Sequence, residues 1–363
     1  MSTPTDQTAT TSPLADVFPA GTTFKTIESA TVAWDFGDLA SEYAALRETA
    51  GKIDLSAAGL IQISGGDAYD LLQQALARDL EFVTPEQSLI SLLLDEDGTA
   101  IDVVTAYYAE EGFRLETSPG RGPVTAAHLT ALIASTGSDA EVSLLNDELT
   151  LILVEGPAAA KVIEDTIDPD LGALPLSGLM EVEYEGVSLI VSRSGFTGEY
   201  GYKIFVPRGD AEKIWSAIDI PAAGHGALEA AMFEVRQPVI YLEDNSASAL
   251  ANGYSWLIDI TKESYVGQEA VQSAFDSGTR TNVIGFSAPA AEKALEPGST
   301  VEIGGVEVGK VVLSLFSPGR KEYIGLAQMR SDLVAPKLGV TIGEVAATTL
   351  AAPYFLPISW KTR

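Results

Sequence analysis

The stretch Ser192-Arg193-Ser194-Gly195-Phe196-Thr197-Gly198-Glu199-Tyr200-Gly201-Tyr202-Lys203-Ile204 decides how this chain is read. Its glycines and small hydroxyl residues surround one carboxylate, Glu199. Strand-like runs flank it at 187–191 and 202–206. The pattern predicts a hairpin whose tip is mostly backbone and whose only charged acceptor is Glu199. Glycines allow a flat ring to approach the main chain closely. A carboxylate accepts two parallel N–H bonds from an amidine-like edge, such as that of a pterin. The same residues also fit an ordinary hairpin with an exposed glutamate.

Working outward, 363 residues exceed what one core usually serves, so about two or three domains are expected. No apolar run approaches a membrane span. Residues 1–20 are rich in Thr, Ser and Pro and read as a disordered lead-in rather than a signal peptide, which makes the cytoplasm the expected location. The absence of cysteine excludes disulfides, thiolate metal sites, iron–sulfur ligation and a thiol nucleophile. With His128 and His225 as the only histidines, a His-rich metal centre is excluded and no metal is expected. The net charge of −29 comes from 51 acidic and 22 basic residues. Such a surface repels nucleic acid and anionic membranes, so neither is an expected partner. It equally fits a solvated acidic face suited to solubility.

Residues 39–50 carry helical spacing with Glu42, Arg47 and Glu48 on the polar side. A strand follows at 59–64, and Asp67 can cap a helix through 69–74. Strands at 89–94 and 100–108 flank the turn Asp95-Glu96-Asp97-Gly98, placing Asp102 inside an apolar run. A short strand covers 113–117. A new unit begins near Leu149, with an alanine-rich helix from Ala158. Gly224-His225-Gly226 opens a helix over 224–236. The last hundred residues hold close-spaced strands at 283–286, 300–303, 306–313, 323–329 and 345–350, which predicts a small barrel or sandwich.

Several of these segments, taken in order, resemble the T-protein (aminomethyltransferase) superfamily of tetrahydrofolate-dependent one-carbon enzymes. The run from Glu42 to Ser56 is similar to that family's "EH..vR..aglfD.S", and Gly98-Thr99-Ala100-Ile101-Asp102 to its "GgviDD". Gly156-Pro157, the Gly195–Tyr202 stretch and Gly224-His225-Gly226-Ala227 match later landmarks, as do Trp256, Lys262 and Tyr265-Val266-Gly267-Gln268-Glu269. Gly309 to Pro318 matches "G.vTSg..SP". The resemblance implies an α+β, three-domain cloverleaf with a C-terminal small β-barrel and folate in a central channel. It implies boundaries of 1–20 for the lead-in, 21–148 and 149–275 for two α+β domains that can interleave, and 276–363 for the barrel. It maps the pterin-binding glutamate onto Glu199 and the aspartate beside the folate amines onto Asp102.

Departures from the pattern shape the expected function. The family's His-Met pair is replaced by Ala57-Ala58, its channel tyrosine by Ile90 and its channel asparagine by Ser118. Both arginines of the helix after Gly224 are missing, at Leu228 and Met232, and Arg236 stands one turn on as a substitute. Ser264 replaces the cysteine of iron–sulfur-assembly relatives. A chain at −29 would repel an acidic lipoyl carrier protein. These features favour a relative nearer the folate-dependent demethylases, moving a methyl group from a small donor to tetrahydrofolate. The alternatives are the aminomethyltransferase of glycine cleavage, a folate-binding protein without catalysis, or a cloverleaf that has exchanged folate for another ligand. Asp102 and His225 are the expected catalytic residues. Asp102 would orient or deprotonate the folate amine, and His225, neutral at a helix N-terminus, would serve as proton donor or simply pack. Glu199, Phe196, Tyr200, Ser118, Arg236 and Trp256 are the expected folate contacts, although Trp256 reads more readily as core.

Overall fold

The alternating apolar runs become antiparallel sheets because each strand can bury one face. The computed structural model describes residues 12–109, 112–243 and 246–361. A hairpin of β1 (Thr23–Ile27) and β2 (Ala30–Asp35) precedes helix α1 (Leu39–Glu48), β3 (Gly51–Asp54), β4 (Ala58–Gly65) and α2 (Ala68–Ala75). Next come β5 (Gln87–Leu94), β6 (Ala100–Ala109), β7 (Gly112–Pro119), α3 (Gly122–Thr136) and β8 (Ala140–Leu144). The middle of the chain supplies β9 (Leu149–Glu155), α4 (Ala159–Thr166), β10 (Leu179–Tyr184), β11 (Val187–Ser192), β12 (Gly201–Pro207), α5 (Ala211–Ala217), α6 (His225–Glu234) and α7 (Gln268–Ser277). The remainder is β13 (Thr281–Ala288), β14 (Thr300–Ile303), β15 (Val306–Ser317), β16 (Glu322–Arg330), β17 (Gly339–Ile342) and β18 (Val345–Leu350).

Two five-stranded sheets run β5-β6-β7-β4-β8 and β10-β11-β12-β9-β3, and a closed six-stranded barrel runs β13-β16-β15-β14-β17-β18. The expected α+β class and C-terminal barrel are therefore observed. The barrel includes a strand, β17, that the sequence reading passed over. The first two units interleave: β3 leaves the first and pairs with β9, Gly51 opposite Glu155. The lead-in expectation needs correction. Residues 1–11 lie outside the described residues, but Leu14 is buried among the side chains beneath the second sheet. Phe18 stands edge-on to Trp215 at 6.1 Å.

The two sheets meet through Leu60 and Tyr107 on one side and Leu153 and Phe205 on the other, with Ala227 and Leu228 of α6 in the same cluster. Tyr107 lies edge-on to Phe205 at 4.9 Å between centroids. Burying each such side chain contributes about 1.5–3 kcal/mol, so this seam holds α6 rigidly between the sheets. Helix α1 packs against α6, where Glu42 and Arg47 of its predicted polar side are buried while Glu48 stays exposed. Glu42 accepts from the backbone N–H groups of Phe36 and Gly224, while Arg47 donates to the carbonyls of Thr197 and Ala231. Asp67 makes no cap on α2; its side chain accepts from the Asp139 N–H instead.

Candidate active site

The predicted hairpin forms, with Ser192 of β11 opposite Lys203 of β12. Its tip is not an open backbone platform. The Cβ that would replace a hydrogen of Gly201 falls 2.6 Å from the Cα of Gly195, and one on Gly195 falls 2.6 Å from Oε1 of Glu155. These glycines are required by close approach within the protein, not by a ligand. The tip also has a second charged acceptor. Glu155, buried at the end of β9, accepts at Oε1 from the N–H groups of Phe196 and Thr197 and from the Thr197 hydroxyl. Burial raises its carboxyl pKa despite those bonds.

Glu199 does not face a free cleft with its carboxylate. Its Oε1 accepts from the Ile358 N–H at 2.8 Å, and its Oε2 from the Ser359 N–H at 2.9 Å and the Ser359 hydroxyl at 2.5 Å. The Arg47 guanidinium lies 3.7 Å from Oε1. The parallel N–H pair expected from a ligand edge is supplied by the chain's own C-terminal segment. Both Glu199 oxygens are thus satisfied within the protein, and a pterin gripped there, as the sequence leads one to expect, would have to displace residues 358–359.

A narrow slot of about 60 Å³ lies between the first sheet and α6, lined by Val103, Glu116, Ser118, Phe196, His225 and Tyr241 among others. At about 10–15 Å³ per water it admits a few waters or the leading edge of a flat ring. An outer cleft of about 740 Å³ is lined by Arg193, Glu199, Tyr200, Arg236, Trp256 and Trp360. Phe196 and Gln237 form walls of both. The expected contacts are thus divided. Ser118 and His225 belong to the slot, Tyr200, Arg236, Glu199 and Trp256 to the cleft, and Phe196 to both.

Asp102 is fully buried on β6, beside the slot-lining Val103. Its Oδ1 accepts from the Val103 N–H at 2.8 Å and its Oδ2 from the Thr125 hydroxyl at 3.0 Å. Ser118, a wall residue of the slot, stands close by, its hydroxyl directed at the Val103 carbonyl. Burial pushes its carboxyl up to about 6, against the opposing pull of Ser118, Arg121 and Thr125. His225 opens α6, and its Nε2 lies 3.0 Å from the Asp54 carbonyl, so a neutral ring donates there. Burial lowers its pKa and the helix N-terminus works in the same direction.

Two further expectations are corrected. Arg236 is no free guanidinium, since it makes a two-pronged pair with Glu243, each contact 2.8 Å, and donates to the Asn252 carbonyl. It cannot stand in for the missing arginines, whose positions Leu228 and Met232 present apolar walls to the slot. Trp256 is not core; it is 47% exposed at the cleft.

Two charged residues of the site escaped the sequence reading. Glu116 on β7 lines the slot and is held by the Tyr107 hydroxyl and by Lys203 Nζ at 2.6 Å. The same ammonium sits 3.8 Å from the centre of the Phe196 ring. Charged residues within otherwise apolar strands were the available signal, as they were for Asp102. Among the described residues no cluster of three or more His, Asp or Glu side chains could hold a metal ion, and no helix is long and apolar enough to cross a membrane.

This interleaved pair of sheets with a terminal barrel is the fold of the aminomethyltransferase T-proteins. Residues 17–262 match the family described as the GCVT N-terminal domain, and the chain belongs to that family, within the T-protein superfamily. An aminomethyltransferase of Rubrobacter xylanophilus is 30% identical over 297 residues, covering 80% of this chain and 79% of that protein. One from Bacillus pumilus is 28% identical over 342 residues, covering 88% and 91%. The crystal structure of the glycine cleavage system aminomethyltransferase T from Bartonella henselae superposes with a TM-score of 0.85, covering 96% of this chain and 98% of that one at 21% identity, a likeness of fold.

Proposed function

We propose that this chain transfers a one-carbon unit from an amine-bound donor to tetrahydrofolate, the aminomethyl transfer for which its curated relatives are named. Aminomethyltransferases of this family take tetrahydrofolate as the one-carbon acceptor. The slot can take the leading edge of such a molecule, where Phe196 offers a ring face and Glu116 a carboxylate. The acceptor, when bound, supplies the nucleophilic amine; the chain positions it and manages its proton. The observation that carries the reading is Asp102, a buried carboxyl pushed up to about 6 immediately behind the slot wall. At neutral pH it is ionised, able to take the proton the amine sheds as it forms its bond to carbon.

A second reading, methyl transfer from a small methylated donor, is supported by the apolar walls at Leu228 and Met232. The charge of −29 also argues for a small free donor over an acidic carrier protein, and for no nucleic-acid or membrane partner, in the cytoplasm. Single-turnover mixing with tetrahydrofolate separates the two. A lipoyl-bound aminomethyl donor is expected to give methylene-folate, faster at high salt as the like-charge repulsion is screened. Methyl-folate from a panel of methylated amines instead would replace the first reading by the second. Failure to bind tetrahydrofolate in calorimetry would overturn both.

A further inference from the structure

Asp102 is sealed from water, yet one charge reaches it from the rim of the fold. Arg121 caps the start of α3, and its Nε lies 3.8 Å from Oδ1 of Asp102. That distance is within reach of an ion pair and beyond a hydrogen bond. Among the described residues this Nε is buried without a hydrogen-bond partner. The rest of the guanidinium is anchored elsewhere. Its Nη2 donates to the Ile101 carbonyl at 2.6 Å, and its Nη1 donates to Oε1 of Glu28 at 3.2 Å. Glu28 belongs to the turn between β1 and β2, and its side chain is half open to solvent. That turn is seated on the loop before α3, where the Ser29 hydroxyl donates to the Gly120 carbonyl at 2.7 Å. A Cβ on Gly120 would stand 2.7 Å from the Ile27 carbonyl oxygen, so only glycine lets turn and loop approach so closely. The other groups facing Asp102 carry no charge. They are Val103 on its own strand, Ser118 on β7, Thr125 on α3 and Leu93 opposite it on β5.

We infer that Arg121 is a positioning residue that tunes the basicity of Asp102, and that Glu28 restrains it by drawing the guanidinium toward the surface. A cation in direct contact with the carboxylate would make Asp102 a weaker base. Loss of the cation would leave burial unopposed by charge and keep the carboxyl protonated to higher pH. The observed geometry lies between these limits, because one guanidinium is shared between a buried acid and a surface acid. This inference rests on the reading of Asp102 as the group that takes the proton of the amine.

Infrared titration of the ligand-free protein tests it without any donor. The carbonyl stretch of protonated Asp102 is the band absent from Asp102→Asn, and in the wild type it is expected to titrate at about 6. Arg121→Met keeps much of the stem and removes the charge, and is expected to move that titration to about pH 7. Arg121→Lys keeps a charge and is expected to fall between the two. Glu28→Gln frees the guanidinium for Asp102 and is expected to move the titration below that of the wild type. The acid limb of the rate of tetrahydrofolate turnover should move in step with the band. An unmoved band in folded Arg121→Met would overturn the inference. So would an equal displacement in Arg121→Lys, the mark of packing without charge. If Arg121→Met does not fold, Glu28→Gln decides, and a band that stays or rises there would overturn it. A band that moves while the rate limb stays would bring down the reading of Asp102 as the base, and this inference with it.

Discussion

Asp102→Asn is expected to lower turnover by roughly 100-fold or more and to make the protein more stable at pH 8. Both effects have one cause. The carboxyl is fully buried and its pKa is raised from 3.8 to about 6. The folded protein therefore holds this proton more tightly than the unfolded chain. The stability it contributes is complete below about 3.8 and is lost as pH rises through about 6. Near neutrality the ionised group sits in the fold at a cost of at most about 3 kcal/mol. Asparagine keeps an acceptor for the Val103 N–H, and its amide nitrogen can donate to the Thr125 hydroxyl once that hydroxyl turns, so without the charge a gain of about 1–3 kcal/mol in unfolding free energy is expected at pH 8. It cannot take a proton, so the rise of the wild-type rate through about pH 6 should vanish. Unchanged turnover would remove Asp102 from the chemistry. A lower melting temperature at pH 8 would show that the carboxylate is stabilised by its neighbours and not strained by burial.

The legible parts of the fold were those with local causes. Period-two alternation broken by Gly and Pro gave the barrel, and the runs on either side of residues 192–201 gave the hairpin. Helix α1 was legible as a helix, but not the face it buries, because the partners of Arg47 come from Thr197 and Glu234, 150 and 187 residues away. The Glu116–Lys203 pair spans 87 residues, and each member taken alone reads as a charge at the margin of a strand. Asp102 was found because its strand is long and apolar enough to make one acid conspicuous. Glu199 stood out as the carboxylate of the hairpin tip, but neither its burial nor its partners were legible. Backbone N–H groups from residues 358 and 359 leave no side-chain signature, so nothing local could show that they fill its acceptor positions.

Those partners give the second large effect. Glu199→Ala is expected to cost about 3 kcal/mol of stability, the lower end for removing one member of a buried charge network. The carboxylate is the anchor of the C-terminal segment through three hydrogen bonds, and it shares Arg47 with Glu234. Glu234 continues the clamp. Its carbonyl accepts from the Tyr354 and Phe355 N–H groups, and its Oε1 from Ser317 and Gly319 at the edge of the barrel. Losing Glu199 should therefore release residues 357–360 first and loosen the barrel's seat on α6 after. Hydrogen exchange should show the Ile358 and Ser359 amides losing protection. Tetrahydrofolate affinity should stay within about threefold, because the slot wall at Glu116 and Phe196 is not built on this carboxylate. If instead affinity falls by a large factor while the melting temperature and amide protection hold, the C-terminal segment yields to the ligand, and Glu199 regains the pterin-binding role that its sequence context first suggested.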